Sequence, residues 1–408
     1  MDFDDTPEEV ALRAQARAWL DANATRLDRD SITEMRTYRA HTEEEDEAML
    51  GEARAWQRRK AEAGWAAPTW PAEFGGRGLS PLLAGVFASE EASYDVAGRL
   101  FSVGTDMVGP TVIEWGTDEQ RAHLLPRILR ADDVWCQLFS EPGAGSDLAG
   151  LSTRAVRDGD EWVISGQKVW TSGAHYSDLG LLLARTDPDV PKHRGITAFV
   201  VDMRAPGVDV RPLRQIDGAI HFNEVFLDEV RVPVRDALGP VGSGWAVALT
   251  MLTNERASIG GGTMYTFEQV ANLARAMGRA GDPVLRQRLA DLHTRDQILR
   301  FLGYRVRTSA AAGRPPGPES SVMKLAVSAR YQTGGDLIVE LEGAAGMLTH
   351  GDAPYDGRFQ DLFMSQWAPR IGGGTDQVQR NIIGERVLGL PGDVRVDKDV
   401  PFRDLPRT

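Results

Sequence analysis

Three short stretches of the sequence combine residue types and spacings that could carry out chemistry. The first, CQLFSEPGAGSD at 136–147, is typical of a strand followed by a Gly-rich loop, and such loops let backbone N–H groups approach an anion closely. It is not a Walker loop, because no Gly-Lys-Ser/Thr follows, and it lacks the third glycine of a dinucleotide fingerprint. A tight turn, with Ser146 or Asp147 bonded to local amides, would explain the same residues.

The second stretch is KVWTSGAHYSD at 168–178, in which a tryptophan is followed by two hydroxyl residues and a glycine. An indole ring can stack on a planar cofactor, and the hydroxyl groups of Thr171 and Ser172 can bind its polar edge. The alternative is that Trp170 belongs to the hydrophobic core, to which large aromatic side chains contribute strongly.

The third stretch, MLTNERASIG at 251–260, places a carboxylate in an apolar stripe. The residues Ala248, Leu252, Glu255 and Ile259 are spaced by four, three and four positions, so they share one face of a helix. A buried glutamate would have a raised pKa, which suits a general base working near neutral pH. A glutamate at the edge of the stripe, paired with a neighbouring arginine, is the commoner arrangement.

The composition places these stretches in a large, acidic protein. With 408 residues, 42% of them hydrophobic, the chain exceeds the roughly 250–300 residues at which single cores tend to divide. The formal net charge of −13 argues against nucleic acid or an anionic membrane as the main partner.

Cysteine content and hydropathy indicate the compartment. The single cysteine, Cys136, excludes an intrachain disulfide and suits a reducing environment. The acidic start MDFDDTPEEV lacks the basic and apolar regions of a signal peptide. No apolar run approaches the ~18 residues that span a bilayer, and LGLLLA at 179–184 has the length of a strand. We therefore expect a soluble, cytoplasmic protein without membrane insertion.

The chain divides into three compositional zones, which we interpret as domains. Apolar residues have helical spacing in 1–132 and 241–408, whereas β-branched and aromatic residues alternate with polar ones across 133–240. The pair Asp158-Gly159 predicts a hairpin within the middle zone. Because strands and helices do not alternate, the order argues against a doubly wound parallel sheet. The sequence predicts a mainly α protein with a central β domain.

Together and in this order, the stretches resemble the acyl-CoA dehydrogenase family. The resemblance covers nearly the whole chain and also includes GWAAPTWPAEFGGRGLS at 64–80, GTDEQRAHLLPRILRAD at 116–132 and GGGTDQVQRNIIGERVLGLP at 372–391. It implies an N-terminal helical domain, a β-barrel-like middle domain and a C-terminal four-helix bundle, usually in a tetramer. It implies no metal.

The resemblance implies a site for non-covalently bound FAD. In the first stretch, the positions that match contacts with the flavin ring are Gln137, Phe139 and Ser140. In the second stretch, Trp170 and Ser172 match the pair that flanks the reactive edge of the flavin, with Ser172 near N5. After the triple glycine, Thr375 and Gln377 match residues that reach FAD, typically across a subunit interface.

The resemblance also implies where the catalytic base lies. Many members carry a catalytic glutamate at the position of Gly373, where only the backbone N–H remains to bind the substrate's thioester carbonyl. A minority branch, which includes isovaleryl- and long-chain-type enzymes, holds the base on another helix, directly before an arginine that binds the acyl-CoA. Here Glu255 directly precedes Arg256. The apolar-face argument and the resemblance therefore both indicate Glu255 as the base. The resemblance also implies that Ser146 contacts the substrate.

The sequence departs from the family pattern at three places. A family aspartate three positions before the arginine is Thr253 here. The FAD-diphosphate loop Gln-x-x-Gly-Gly-x-Gly has the sequence ELEGAAG at 340–346, so Glu340 and Ala344 are substitutions. The Arg-x-x-Phe-Gly motif expected near 275 is not recognisable. These departures leave the contacts to the FAD diphosphate unassigned.

The implied reaction is α,β-dehydrogenation of an acyl-CoA thioester to trans-2-enoyl-CoA, with electrons passed to an electron-transferring flavoprotein. Hydrogen bonds to the thioester carbonyl must stabilise the developing enolate, because a carboxylate alone is too weak a base for the α-proton. Two alternatives use the same scaffold. One is an acyl-CoA oxidase or nitroalkane-type oxidase, and the other is a low-activity subunit of a heteromeric dehydrogenase, which the altered diphosphate loop favours. Otherwise we expect a homotetramer or a dimer.

Small residues near the expected base favour a bulky acyl group. Gly373 removes a side chain beside the reacting carbons, and Gly260–Gly262 follow Glu255 by one to two helical turns. Each glycine in a helix interior costs roughly 1 kcal/mol relative to alanine, so three together indicate a need for space. Close packing against a helix or the cofactor is the alternative. We predict a branched or ring-bearing substrate.

Overall fold

A sheet domain lies between two helical regions, as the sequence predicted. The computed structural model describes residues 5–28, 31, 43–97, 100–259, 264–311, 317, 320–392, 394 and 397–406. The N-terminal helices are α1 (Pro7–Asn23), α2 (Glu43–Glu62), α3 (Pro81–Glu91), α4 (Gly109–Trp115) and α5 (Asp118–Leu129). A π-helical turn, Val103–Val108, precedes α4.

One mixed eight-stranded sheet forms the middle of the chain. Its strands are β1 (Trp135–Leu138), β2 (Arg154–Asp158), β3 (Glu161–Ser172), β4 (Leu179–Arg185), β5 (Ile196–Asp202), β6 (Val208–Leu213), β7 (Phe222–Pro233) and β8 (Ala237–Leu238). They are ordered β6-β7-β3-β2-β4-β5-β8, and β1 pairs in parallel with β4. Most other pairs are antiparallel, so the sheet is not of the doubly wound parallel kind.

Strand β4 accounts for the apolar run LGLLLA because it is buried on both faces. Leu181 and Leu183 pack into a core shared with the N-terminal helices. Leu182 and Ala184 point to the opposite face, into the core of the β domain itself. Burial on both sides gives a continuous apolar run instead of alternation.

The predicted hairpin joins β2 to β3. Asp158 pairs with Glu161 across the turn, and Gly159 has a φ of +60°. Glycine adopts positive φ readily because it has no Cβ. The hairpin is thus confirmed, with Gly159 and Asp160 as the two turning residues.

In the described part of the chain, seven α-helices follow the sheet. They are α6 (Gly244–Ile259), α7 (Phe267–Ala276), α8 (Pro283–Ala311), α9 (Ser320–Glu342), α10 (Arg358–Ser365), α11 (Ala368–Ile371) and α12 (Asp376–Ile382). Helices α7 to α10 share one core that contains Leu273, Leu337 and Phe359. Helix α6 instead packs into the core between the sheet and the N-terminal helices, through Val247 and Met251. No helix in the described ranges has the length and apolarity needed to cross a membrane.

The end of α9 buries a carboxylate, Glu342, within the altered diphosphate loop. Gln360 on α10 donates from Nε2 to Glu342 Oε2 at 2.7 Å, whereas Glu342 Oε1 has no hydrogen-bond partner among the described residues. Burial raises the pKa of Glu342 from an ordinary value of 4.5 to about 7. Between these two values the unfolded chain binds fewer protons than the folded chain, so the free energy of unfolding falls as the pH rises.

We predict that Glu342→Gln stabilises the protein at alkaline pH, because the amide keeps the hydrogen bond without a buried charge. By linkage, the gain in the free energy of unfolding should be larger by about 2 kcal/mol at roughly pH 8.5 than at roughly pH 5.5. Urea unfolding of the variant and the parent at both pH values measures this difference. Glu52→Gln, on the exposed face of α2, is the control. An equal gain at both pH values would contradict a buried, titrating Glu342.

Candidate active site

The first two stretches of interest lie side by side in the β domain. The Gly-rich loop, residues 139–147, follows β1, and residues 168–172 form the end of β3. The Val169 N–H donates to the Ser140 carbonyl at 2.9 Å. Lys168 Nζ donates to the Phe139 carbonyl at 3.1 Å. The structure therefore joins the two stretches into one surface.

A buried ion pair fixes this junction. Lys168 Nζ lies 2.8 Å from Glu141 Oε1, and the two side chains are 0% and 8% exposed. The Glu141 carboxylate also accepts the backbone N–H groups of Ser152 and Thr153 at 2.6 and 2.9 Å. Burial lowers the pKa of Lys168 to about 8, although Glu141 opposes this change. Sequence reasoning missed both residues, although each lies inside a stretch singled out for its chemistry.

Trp170 projects from the sheet instead of packing in the core. Its φ is +62°, at an irregularity in the β3–β7 pairing between Lys168 and Thr171. The side chain is 61% exposed, and its ring meets Phe222 edge to face with 5.9 Å between centroids. A left-handed backbone is uncommon for a bulky residue and marks strain that the surroundings must impose. The structure thus excludes the core alternative for Trp170 within the single chain.

A hydrogen-bond network supports the backbone next to Trp170. Asn223 Nδ2 donates to the Thr171 carbonyl at 2.9 Å, and Asn223 Oδ1 lies 3.2 Å from His175 Nδ1. Asn223 is fully buried, and burial lowers the pKa of His175 below its ordinary value. The network fixes the segment that carries Ser172, whose side chain is half-buried.

The expected flavin contacts of the first stretch differ in exposure. Gln137 and Ser140 are half-buried, so their side chains can reach a ligand. Phe139 is only 4% exposed and belongs to the core shared with the N-terminal helices. Any contact of Phe139 with a ligand in this chain would therefore involve its backbone. Ser146, the expected substrate contact, is exposed.

The Gly-rich loop has the tight local geometry that the alternative interpretation proposed. Glu141 and Ala144 exchange backbone hydrogen bonds at 3.1 and 3.0 Å. A Cβ added at Gly143, inside this turn, or at Gly145, just after it, would meet no atom within 4 Å. The loop is therefore a turn and also leaves open space beside its backbone.

Helix α6 carries the expected base. Ala248 is buried, and Leu252 packs against the same core, which confirms the predicted apolar face for these two residues. Glu255 is half-buried on this helix. Helix α6 contacts β4, β5 and the π-helical turn 103–108, and that turn also contacts β1. The side chains of Arg256 and Ile259, and all of Gly260–Gly262, lie outside the described residues.

The triple glycine at 372–374 reverses the chain before α12. Gly373 and Gly374 have φ values of +63° and +84°, a region that favours glycine. Thr375 then caps α12, its Oγ1 accepting the Val378 N–H at 3.2 Å. Gln379 Nε2 donates to the Gly373 carbonyl at 3.0 Å. The backbone of the turn thus favours glycine at 373 and 374, whereas Gly372 has an ordinary φ of −67°.

The C-terminal site residues form a second group, on the helical bundle. Helix α12 packs against α9, and Asp376 pairs with Arg370 at 2.9 Å and with Lys324 of α9 at 3.5 Å. Gln377 is exposed, whereas the Thr375 hydroxyl serves as the helix cap. The described residues thus bring Gln137, Ser140, Trp170 and Ser172 together in the β domain, and Gly373, Thr375 and Gln377 together on the bundle.

The β-domain surface suits the ring of FAD, but the loop at 340–346 does not suit its diphosphate. The exposed indole lies on β3, two residues before the half-buried Ser172, and the half-buried Gln137 lies on the contacting strand β1, so this surface offers a planar apolar face and polar groups. Glu340, in contrast, puts a carboxylate paired with Arg288 where the family pattern has glutamine, and an ionised carboxylate cannot donate a hydrogen bond to a phosphate oxygen as an amide can. No group of three or more potential metal ligands occurs among the described residues.

Family models match three consecutive parts of the chain. The model for the acyl-CoA dehydrogenase N-terminal domain matches residues 6–132, that for the middle domain residues 136–230, and that for the C-terminal domain residues 242–388.

Individual relatives are similar over most of their length. The acyl-CoA dehydrogenase IpdE1 of Mycobacterium tuberculosis is 40% identical over 348 residues, which cover 84% of this chain and 89% of IpdE1. The solved structure of the Tcur3481-Tcur3483 steroid ACAD is 30% identical, with a TM-score of 0.81 over 96% of this chain and 100% of that one. The ChsE4-ChsE5 complex from Mycobacterium tuberculosis is also 30% identical, with a TM-score of 0.77 over 96% of this chain and 100% of that one.

We predict that Lys168→Met destabilises the protein by about 3–5 kcal/mol, because it leaves the Glu141 carboxylate buried without its cation. Urea unfolding measures the loss, and visible absorbance should show less bound flavin. The double variant Glu141→Gln/Lys168→Met removes both charges and should recover part of the stability. Arg231→Gln breaks an exposed pair with Glu161 on the same sheet and should cost no more than about 1 kcal/mol. If Lys168→Met were as mild as this control, the pair would not hold the two stretches together.

Proposed function

This chain belongs to the acyl-CoA dehydrogenase family, and we propose that it dehydrogenates a ring-bearing acyl-CoA with Glu255 as its catalytic base. The family binds FAD, which is the cofactor. The observation that carries the proposal is the half-buried carboxylate of Glu255, on a helix that packs against the sheet bearing Trp170.

The surroundings of Glu255 support its role as the base. The carboxylate follows Ala248 and Leu252 on one face of α6, and both contribute to the core beneath it. In the proposed reaction Glu255 takes the proton from Cα of the acyl group. Its position before Arg256 adds the support of the family resemblance.

Gly373 would stabilise the negative charge that develops on the substrate as the proton leaves. Its N–H donates to no acceptor among the described residues, while its carbonyl is held by Gln379. A fixed N–H of this kind can bind the thioester oxygen, where negative charge develops as the proton leaves. A glutamate at 373 would need the left-handed backbone found there, with φ of +63°, which costs about 1–2 kcal/mol for residues with a Cβ. The turn thus favours glycine here and a base on another helix.

Trp170 and Ser172 would hold the flavin ring, with Gln137 and Ser140 beside them. When bound, FAD supplies the acceptor for the hydride that leaves Cβ. The indole of Trp170 would cover the reacting carbons and keep water away, which strengthens the hydrogen bonds at the thioester. Ser172 can donate a hydrogen bond from Oγ to the polar edge of the ring.

Two observations support a ring-bearing substrate. Gly373 offers no side chain beside the reacting carbons, so a bulky acyl group meets less obstruction there. A solved relative of 30% identity over 96% of this chain is described as a steroid ACAD. Gly260–Gly262 would add space near the base, although they lie outside the described residues. We therefore propose a fused-ring acyl-CoA as the substrate class.

We further propose that this chain works beside an unlike subunit. The carboxylate of Glu340 makes its own diphosphate loop a poor FAD site, so another chain would have to supply those contacts. Two solved relatives are described as pairs of differently named chains, Tcur3481-Tcur3483 and ChsE4-ChsE5. An electron-transferring flavoprotein would then take up the electrons, as the resemblance implies.

We predict that Glu255→Gln lowers kcat at least about 10³-fold, because the amide cannot accept the α-proton. Anaerobic flavin bleaching by the acyl-CoA measures the chemical step, and FAD content and acyl-CoA affinity should stay unchanged. Glu268→Gln, on the exposed start of α7, is the matched control. Normal turnover by Glu255→Gln would place the base elsewhere in the chain.

We predict that a fused-ring acyl-CoA gives a kcat/KM at least about tenfold above those of butyryl-, octanoyl- and palmitoyl-CoA, because a pocket shaped for rings leaves straight chains poorly held. One electron acceptor should serve for all four thioesters. The flavin content of the chain purified alone should be recorded first and compared with that of the co-purified pair of subunits. A clear preference for one of the straight chains would overturn the substrate proposal.

A further inference from the structure

Residues 397–406, here called the C-terminal segment, lie across the connection between β4 and β5. The backbone N–H of Phe402 donates to the Val190 carbonyl, and that of Arg403 to the Pro188 carbonyl, each at 3.0 Å. The segment is therefore bound to the β domain, although it follows the helical bundle in sequence.

Arg185, at the end of β4, links this segment to the chain that leaves the Gly-rich loop. Its guanidinium donates to the carbonyl oxygens of Ala149 and Leu151 at 2.7 and 3.1 Å. The ring of Phe402 covers the guanidinium, with 3.6 Å between the ring centroid and Cζ. Because Arg185 is only 4% exposed, Phe402 helps to shield these hydrogen bonds from water.

Lys192 connects the C-terminal segment to the loop directly. Its Nζ lies 2.9 Å from Oδ2 of Asp147, the last residue of the loop, and 2.5 Å from Oδ2 of Asp397. The lysine side chain is 11% exposed, whereas that of Asp147 is 62% exposed. A largely buried ammonium thus holds an otherwise exposed loop residue. Without that ammonium, the two carboxylates would face each other.

We infer that Lys192 positions the Gly-rich loop for substrate binding, and that the C-terminal segment completes this anchor. The inference rests on the proposed function, because Ser146, next to Asp147, is the expected substrate contact. Lys192 touches no reacting atom and acts through Asp147, so it is a positioning residue.

The loop depends on anchors at both ends. Glu141 is held by Lys168 at one end, and Asp147 is held by Lys192 at the other. Between them, the space beside Gly143 and Gly145 is empty of neighbouring atoms. Ala144, between these glycines, is buried in the core, so the part of the loop beyond it, which carries Ser146, depends on the anchor at Asp147. Loss of the ion pair at one end should weaken acyl-CoA binding more than it slows the chemical step.

The test uses the full chain loaded with FAD, together with its partner subunit if one is required. Lys192→Met removes the charge and keeps the length of the side chain. We expect KM for the best acyl-CoA to rise at least about fivefold, with kcat within about twofold of the parent. Hydrogen–deuterium exchange of the amides of residues 147–151, measured without acyl-CoA, should become faster. Lys192→Arg should restore both values.

Arg211→Gln is the matched control, because Arg211 forms an exposed pair with Asp209 at 2.7 Å on β6. It should change neither KM nor the rate of hydrogen–deuterium exchange at residues 147–151. Unchanged KM and exchange in Lys192→Met would overturn the inference, and so would a fall in kcat alone. If the parent turned over no acyl-CoA, the proposed function would fail. The exchange measurement would still show whether Lys192 holds the loop.

Discussion

The buried ion pair between Glu141 and Lys168 is the interaction on which the candidate site depends. One ammonium group without exposed surface holds the Gly-rich loop against the strand that presents Trp170 and Ser172. Either ion alone would be costly in the interior, so the loop and the strand keep their positions only together. The strained backbone of Trp170 lies two residues after Lys168, at the irregular part of the β3–β7 pairing.

The residues of this chain suit the flavin ring better than they suit the diphosphate of the cofactor. The β domain offers an exposed indole and polar side chains to a flavin ring, whereas Glu340 brings a carboxylate to the loop that would meet the diphosphate. The bundle contributes a glycine turn in which the Gly373 N–H has no acceptor among the described residues. In the proposed reaction, one chain thus supplies groups for proton abstraction and for binding the flavin ring, but not for binding the other end of the cofactor. This division of groups supports the proposed assembly with an unlike subunit.

Much of the fold could be predicted because local signals agreed with the final packing. The apolar run of β4 and the Asp-Gly turn report burial and backbone geometry directly. The exposure of Trp170 could not be predicted, because its positive φ arises from an irregular strand pairing. The Glu141–Lys168 pair joins positions 27 residues apart, and in the sequence each charge looks like a solvated one. Lys192 and Asp397 are separated by 205 residues, so only the folded chain reveals them as partners.

The pairing of β3 with β7 has a consequence for how the protein is made. Glu161 pairs with Pro233 and Ser172 with Phe222, so β3 gains this neighbour only after β4, β5 and β6 have been synthesised. Such distant pairings form late. A nascent chain that ends before 222 therefore presents the strand of Trp170 with an open edge, which is a template for pairing with another chain. The surface that suits the cofactor thus includes, on the ribosome, a strand edge that needs protection from aggregation.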